Sequence, residues 1–198
     1  MDIQFNILRQ EKDHIGVIFC DQNCKLLGFG KKLDQLSKKY ISTIISADES
    51  FKLRNSQNFD YVTIHQPQNL KLSKIYVFKL KKFKEYQIRD FQILGGHVFS
   101  LLSFYKENKV ILYPDGVVSS KISFMNSITE LLVGFSLASY KFDKYKKKNT
   151  KKNKSTKLPK LKVSSSSHTR LEKNYVNVKA ISEGVTLTRN LVTEPPNV

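Results

Sequence analysis

Lys74-Ile75-Tyr76-Val77-Phe78 and Lys109-Val110-Ile111-Leu112-Tyr113 bracket a stripe of Phe91, Leu94, Val98, Leu101 and Leu102. The two short runs are rich in β-branched and aromatic side chains, which pack well on a pleated surface, and the stripe repeats every three or four residues, as one face of a helix does. Strand, helix and strand in succession decide for an α/β sheet with helices packed on it. Gly95-Gly96 sits inside the stripe, at a cost of about 1 kcal/mol per glycine against alanine, which points to close backbone packing there. Pro114-Asp115-Gly116 closes the second run as a turn.

The same alternation extends outward. Ile3 to Leu8 and Ile15-Gly16-Val17-Ile18-Phe19-Cys20 read as strands joined by a polar turn, Gln10 to His14. From Leu33, the positions Leu36, Tyr40, Ile44 and Ile45 predict one amphipathic helix. Asp60-Tyr61-Val62-Thr63-Ile64-His65 reads as a further strand. Ser127-Ile128-Thr129-Glu130 has the form of a capping box, starting a helix with Ile128, Leu131, Leu132 and Phe135 on one face, then Ser139 or Phe142. Leu158 to Ser164 reads as a final edge strand and Ser164 to Ser167 as a flexible tract. A last helix is expected from about Asn174, with Val178, Ile181, Val185 and Thr188 on one face. Pro195 lacks an amide donor and disfavours helical geometry in Glu194, so the helix stops there.

A chain of 198 residues suits one well-cored unit with appendages. Hydrophobic residues at 40% are too many for a disordered chain. Met1 to Phe5 carries no basic leader or apolar run, and no stretch approaches the roughly 18 apolar residues of a membrane span, so the cytoplasm is expected and a membrane partner is not. Cys20 and Cys24 fit a reducing compartment. The net charge of +17 raises nucleic acid as a partner. Its quality weakens that reading, because only Arg9, Arg54, Arg89, Arg170 and Arg189 carry the planar fork that suits phosphates and guanine edges. Most of the lysine excess lies between Lys141 and Lys162, a self-repelling block expected to form a surface loop at about 144–157, with Tyr140 and Tyr145 available for stacking.

No catalytic constellation is visible. His14, His65, His97 and His168 are isolated, and none stands four residues from another as a paired metal ligand would. Cys20 and Cys24 have three residues between them and no second pair, a poor zinc pattern. Gly28-Phe29-Gly30-Lys31 lacks the spacing of either nucleotide loop and reads as a turn before the first helix. We assign no catalytic, cofactor-binding or metal-binding residue to the chain.

Two stretches carry a family resemblance. Gly134-Phe135-Ser136-Leu137-Ala138-Ser139-Tyr140-Lys141-Phe142-Asp143-Lys144-Tyr145-Lys146 resembles the small-residue helix and Tyr, aromatic, Asp, Tyr exit of leucyl aminopeptidase (cytosol aminopeptidase) N-terminal domains. Gly184, Arg189, Leu191 and the ending Glu194-Pro195-Pro196-Asn197 are similar to that family's interdomain helix. Lys74 to Phe78, Arg89 and Leu94-Gly95-Gly96 follow the order of the same domain. Phe78-Lys79-Leu80 departs from it, standing where the family has a Gly-Leu-Gly turn, so a rebuilt loop is expected.

The resemblance implies a macrodomain-like mixed β-sheet flanked by helices, with a C-terminal linker helix. It places the N-terminal domain at 1–172, and the interdomain helix with the start of a missing catalytic domain at 173–198. In the family, a metallopeptidase hydrolase, two divalent metals such as zinc or manganese and the residues that use them lie beyond that junction. The chain is accordingly expected to be truncated or split, to be inactive alone, and to act as an oligomerisation or scaffold module. Its expected partners are its own copies or a separate aminopeptidase catalytic half. An ADP-ribose pocket by analogy with macrodomains is a weaker expectation, since a fold does not fix a function.

Overall fold

The structure, a computed structural model, describes residues 3–53, 59–142 and 158–194. Its centre is a six-stranded sheet in the order β1-β6-β5-β2-β4-β3. The strands are β1 (Ile3–Asn6), β2 (Ile15–Cys20), β3 (Asp60–His65), β4 (Lys74–Lys79), β5 (Lys109–Leu112) and β6 (Lys160–Ser164). All neighbours are parallel except β3, which runs antiparallel to β4 at one edge. Every residue of β2 is buried, as a parallel strand covered on both faces requires. Its side chains alternate, Val17 and Phe19 entering one core and Ile18 and Cys20 the other.

The expected edge strand at Leu158 to Ser164 is instead interior, because β6 pairs with β5 on one side and β1 on the other. Its Lys-Leu-Lys-Val alternation resembles a one-sided strand. In fact Leu161 and Val163 are buried, and Lys162 reaches Glu11 at 2.5 Å, which removes the cost of its charge.

Helices α1 (Phe29–Leu36), α2 (Tyr40–Ala47) and α3 (Glu49–Leu53) cover one face. The single helix expected from Leu33 is broken, since Lys38 and Lys39 take left-handed φ of 54° and 63°. The break lets Leu33, Ile41 and Ile45 all reach the core, whereas Leu36 is left exposed. Asp34 secures the elbow by accepting from Ser42 N at 2.8 Å. Helix α3 was not expected; its signal was Asp48, which accepts from Phe51 N at 2.9 Å as an N-cap does. At the end of β4 the buried Lys79 donates to the carbonyls of Phe51 and Lys52 at the end of α3.

Helices α4 (Ile88–Phe104), α5 (Phe124–Ala138) and α6 (His168–Thr193) cover the other face. Glycines bring α4 against α5: a Cβ on Gly95 would lie 1.8 Å from Leu131 O, and one on Gly134 would lie 1.9 Å from Gln92 O. The capping box expected at Ser127 is not the helix start. Ser123 caps α5, accepting from Asn126 N at 3.3 Å, and Ser127 is buried one turn inside. Glu130 instead accepts from Gln92 Nε2 at 2.7 Å, joining α5 to α4.

Candidate functional site

The chain leaves β2 toward one face of the sheet and leaves β4, β5 and β6 toward the other, so the topological switch point lies between β2 and β5. In open α/β sheets ligands enter there. Here the crevice is closed by backbone. Gly28, with φ 46°, sits so near the following loop that a Cβ on it would lie 1.5 Å from Asp115 O. Phe29 stacks on Tyr113 with centroids 4.9 Å apart, and Tyr113 Oη donates to Arg9 O. The carboxylate of Asp115 accepts from Ser165 Oγ, and from Ser166 N and Oγ at 3.0 and 2.8 Å. Ser164 to Ser167 is therefore no loose tract but a hydroxyl latch. A run of small hydroxyls directly between a strand and a helix was the available signal.

The histidines stand far apart in the fold. His14 precedes β2, with Nδ1 3.0 Å from Lys12 O and Nε2 3.2 Å from Glu11. His65 ends β3, His97 packs edge-on against Phe59 in α4, and His168 opens α6 with a buried Nδ1. The Cys20 thiol is buried and desolvation pushes its pKa up, the opposite of nucleophile activation. Among the described residues no three His, Cys, Asp or Glu side chains converge as a metal site.

What the structure does bring together is the pair of stretches singled out in the sequence. Tyr140, at the exit of α5, donates to Asn190 Oδ1 at 2.8 Å. Arg189 donates to Leu137 O at 3.2 Å and lies over the Tyr140 ring at 5.6 Å. One turn after another, Leu171, Tyr175, Val178, Ser182 and Val185 form the packed or half-packed side of α6. Tyr140 is thus occupied, and the lysine block with Tyr145 lies outside the described residues.

Helix α6 begins at His168 rather than near Asn174, and two of its expected inward positions, Ile181 and Thr188, face out. Val176, Ile181, Leu187, Leu191 and Val192 are all at least 60% exposed. With Ala180 and Gly184, the latter open to space, they form an apolar outer face along the second half of the helix. Patches of this kind mark interaction surfaces. No helix among the described residues is long and apolar enough to cross a membrane.

Comparisons with known proteins agree with this arrangement. Residues 17–149 match the model of the cytosol aminopeptidase family, N-terminal domain. A probable cytosol aminopeptidase of Rhodopseudomonas palustris is 29% identical over 191 residues, covering 92% of this chain and 35% of the relative. One from Rhizobium etli is 30% identical over 148 residues, 74% of this chain and 28% of the relative. The chain thus spans about a third of the length of such relatives. Among solved structures, a tomato leucine aminopeptidase variant superposes over 100% of this chain and 39% of its own, with TM-score 0.71 and 17% identity. An Oceanobacillus iheyensis macrodomain superposes over 92% of both chains, with TM-score 0.63 and 9% identity, a likeness of fold alone. By the match over residues 17–149, the chain belongs to the cytosol aminopeptidase family, through that family's N-terminal domain.

Proposed function

We propose that this domain is the non-catalytic N-terminal half of a metal-dependent, cytoplasmic aminopeptidase, and that it docks the catalytic half, and through it further copies, on the outer face of α6. The observation that carries the reading is that face. Five large aliphatic side chains stand in water at the end of a domain that the relatives extend nearly threefold. Burying one such side chain contributes about 1.5–3 kcal/mol. The interlock of Arg189, Tyr140 and Asn190 fixes the helix on the domain and so fixes the angle at which the face is presented. Metal-assisted hydrolysis of peptide N-termini belongs, in this reading, to the catalytic half, whether joined in one polypeptide or supplied separately. This domain contributes orientation and assembly.

The test is complementation. The chain alone, with zinc or manganese, is expected not to hydrolyse leucine anilide, and mixing it with the catalytic half of a family member is expected to form a stable complex. Leu187→Glu with Leu191→Glu places two charges on the apolar face and is expected to abolish the complex while leaving the thermal midpoint of the isolated domain unchanged. Chelator-sensitive turnover by the chain alone overturns the non-catalytic assignment, and undiminished association of the double variant overturns the docking face.

A further inference from the structure

The loop after β2, together with α1, α2 and α3, encloses an open depression of about 790 Å3. That volume is in the range of small-molecule sites. Four lysines from separate pieces of chain stand around it: Lys25 on the loop, Lys31 on α1, Lys39 at the elbow and Lys52 on α3. Some lysines of the fold are matched, Lys74 by Glu107, Lys81 by Asp60 and Lys162 by Glu11, whereas others, such as Lys109 and Lys160, stand exposed with no ion pair among the described residues. Among the described residues these four have no acidic partner and no side-chain hydrogen bond. The one carboxylate among the described lining residues, Asp34, accepts from Ser42 N through Oδ1 and offsets part of the lysine charge.

The result is a concave surface on which four lysines outweigh a single carboxylate. Like charges gathered around low-dielectric walls raise the local concentration of anions. The elbow contributes, because the left-handed φ of Lys38 and Lys39 folds α2 back beside α1 and sets Lys39 on the rim. The lining also limits the class of anion. Among the described residues it shows no arginine fork and no aromatic ring, the bidentate donor and the stacking platform that nucleic-acid grooves use. It offers ammonium point charges together with the neutral amides of Gln22, Asn23 and Gln35, which suit hydrated phosphoryl oxygens.

We propose that this depression binds a compact, multiply charged, phosphate-bearing small molecule. The proposal does not depend on the docking role of α6, and its test needs no catalytic half, so either can fail alone.

The probe is inorganic tripolyphosphate, titrated calorimetrically into the full chain at about 0.15 M salt. Saturable one-site binding is expected, with a matching rise in thermal midpoint. Lys31→Gln with Lys39→Gln is expected to weaken binding about tenfold or more, and Lys25→Gln with Lys52→Gln, a second variant free of the elbow, by a similar factor. Lys109→Gln with Lys160→Gln removes the same charge from exposed neighbours at the opposite end of the sheet, and is expected to change affinity less than about twofold. Equal weakening by the control pair means that net charge alone attracts the probe, and it overturns the site. So does the absence of heat at millimolar probe. A single-stranded oligonucleotide that binds more tightly than tripolyphosphate and competes with it overturns the small-molecule class.

Discussion

At Glu11 one carboxylate faces Lys162, Arg9 and His14. Lys162 approaches at 2.5 Å, Arg9 Nε donates at 3.0 Å and His14 Nε2 lies 3.2 Å away. The hydrogen bond from Lys162 is the main cause of a pKa held below the usual 4.5; partial burial opposes it, and the charges of Lys162 and His14 and the Arg9 bond reinforce it. A lowered carboxyl pKa gives stability that is complete above the unfolded value and lost as the pH falls through the lower folded value. Glu11→Gln is therefore expected to cost about 1 kcal/mol near neutral pH, with the difference from the parent vanishing in strong acid, as read from urea midpoints. Ser127 predicts the opposite sign. Its hydroxyl is buried with no partner among the described residues, so Ser127→Ala removes an unsatisfied group and improves helix propensity; a gain of about 1 kcal/mol in urea unfolding is expected.

Along the elements, the close crossing of α4 and α5 separates two adjacent glycines that the sequence could not rank. Gly95→Ala drives a methyl into Leu131 O and is expected to cost about 3 kcal/mol or more, whereas at Gly96 the nearest atom to a new Cβ is 3.9 Å away. Gly96→Ala is expected to be neutral or stabilising by up to about 1 kcal/mol, and paired thermal melts check both. That some backbone passes near Gly95-Gly96 was legible, because two glycines inside a strong apolar stripe need a reason. Which of them faces α5 was not, since helix rotation depends on the neighbour. The same limit explains α6, where Val178, Ile181, Val185 and Thr188 were expected on one inward face but Ile181 and Thr188 face out. Its outer face is apolar too, so hydrophobicity alone does not say which side is inward. The break at Lys38-Lys39 was hidden because neither residue is a glycine or proline, and the elbow is held by the Asp34 carboxylate, which accepts from Ser42 N eight positions away.

For the molecule as a whole, strands alternating with helices were enough to give the α/β class, and the stretches Gly134 to Lys146 and Ile181 to Asn197 gave the family. Strand order was not legible, because a ladder partner leaves no mark in a single strand's residues. The Asp115 latch is a property of this scale, joining the loop after β5 to the loop after β6. Asp115→Ala is expected to cost about 2 kcal/mol and to speed amide hydrogen exchange at Ser166, as mass spectrometry or NMR would register. The position of β6 also bears on how the protein is born. A ribosome delivers β1 first and β6 last, yet β6 is the strand that fills the gap between β1 and β5. A nascent chain halted before residue 160 therefore holds β5 with an unpaired flank and β1 with nowhere to attach. Such an open slot accepts a strand from any neighbour of suitable register. On crowded polysomes the interval before β6 emerges is therefore the one in which this sheet offers sister chains an open slot.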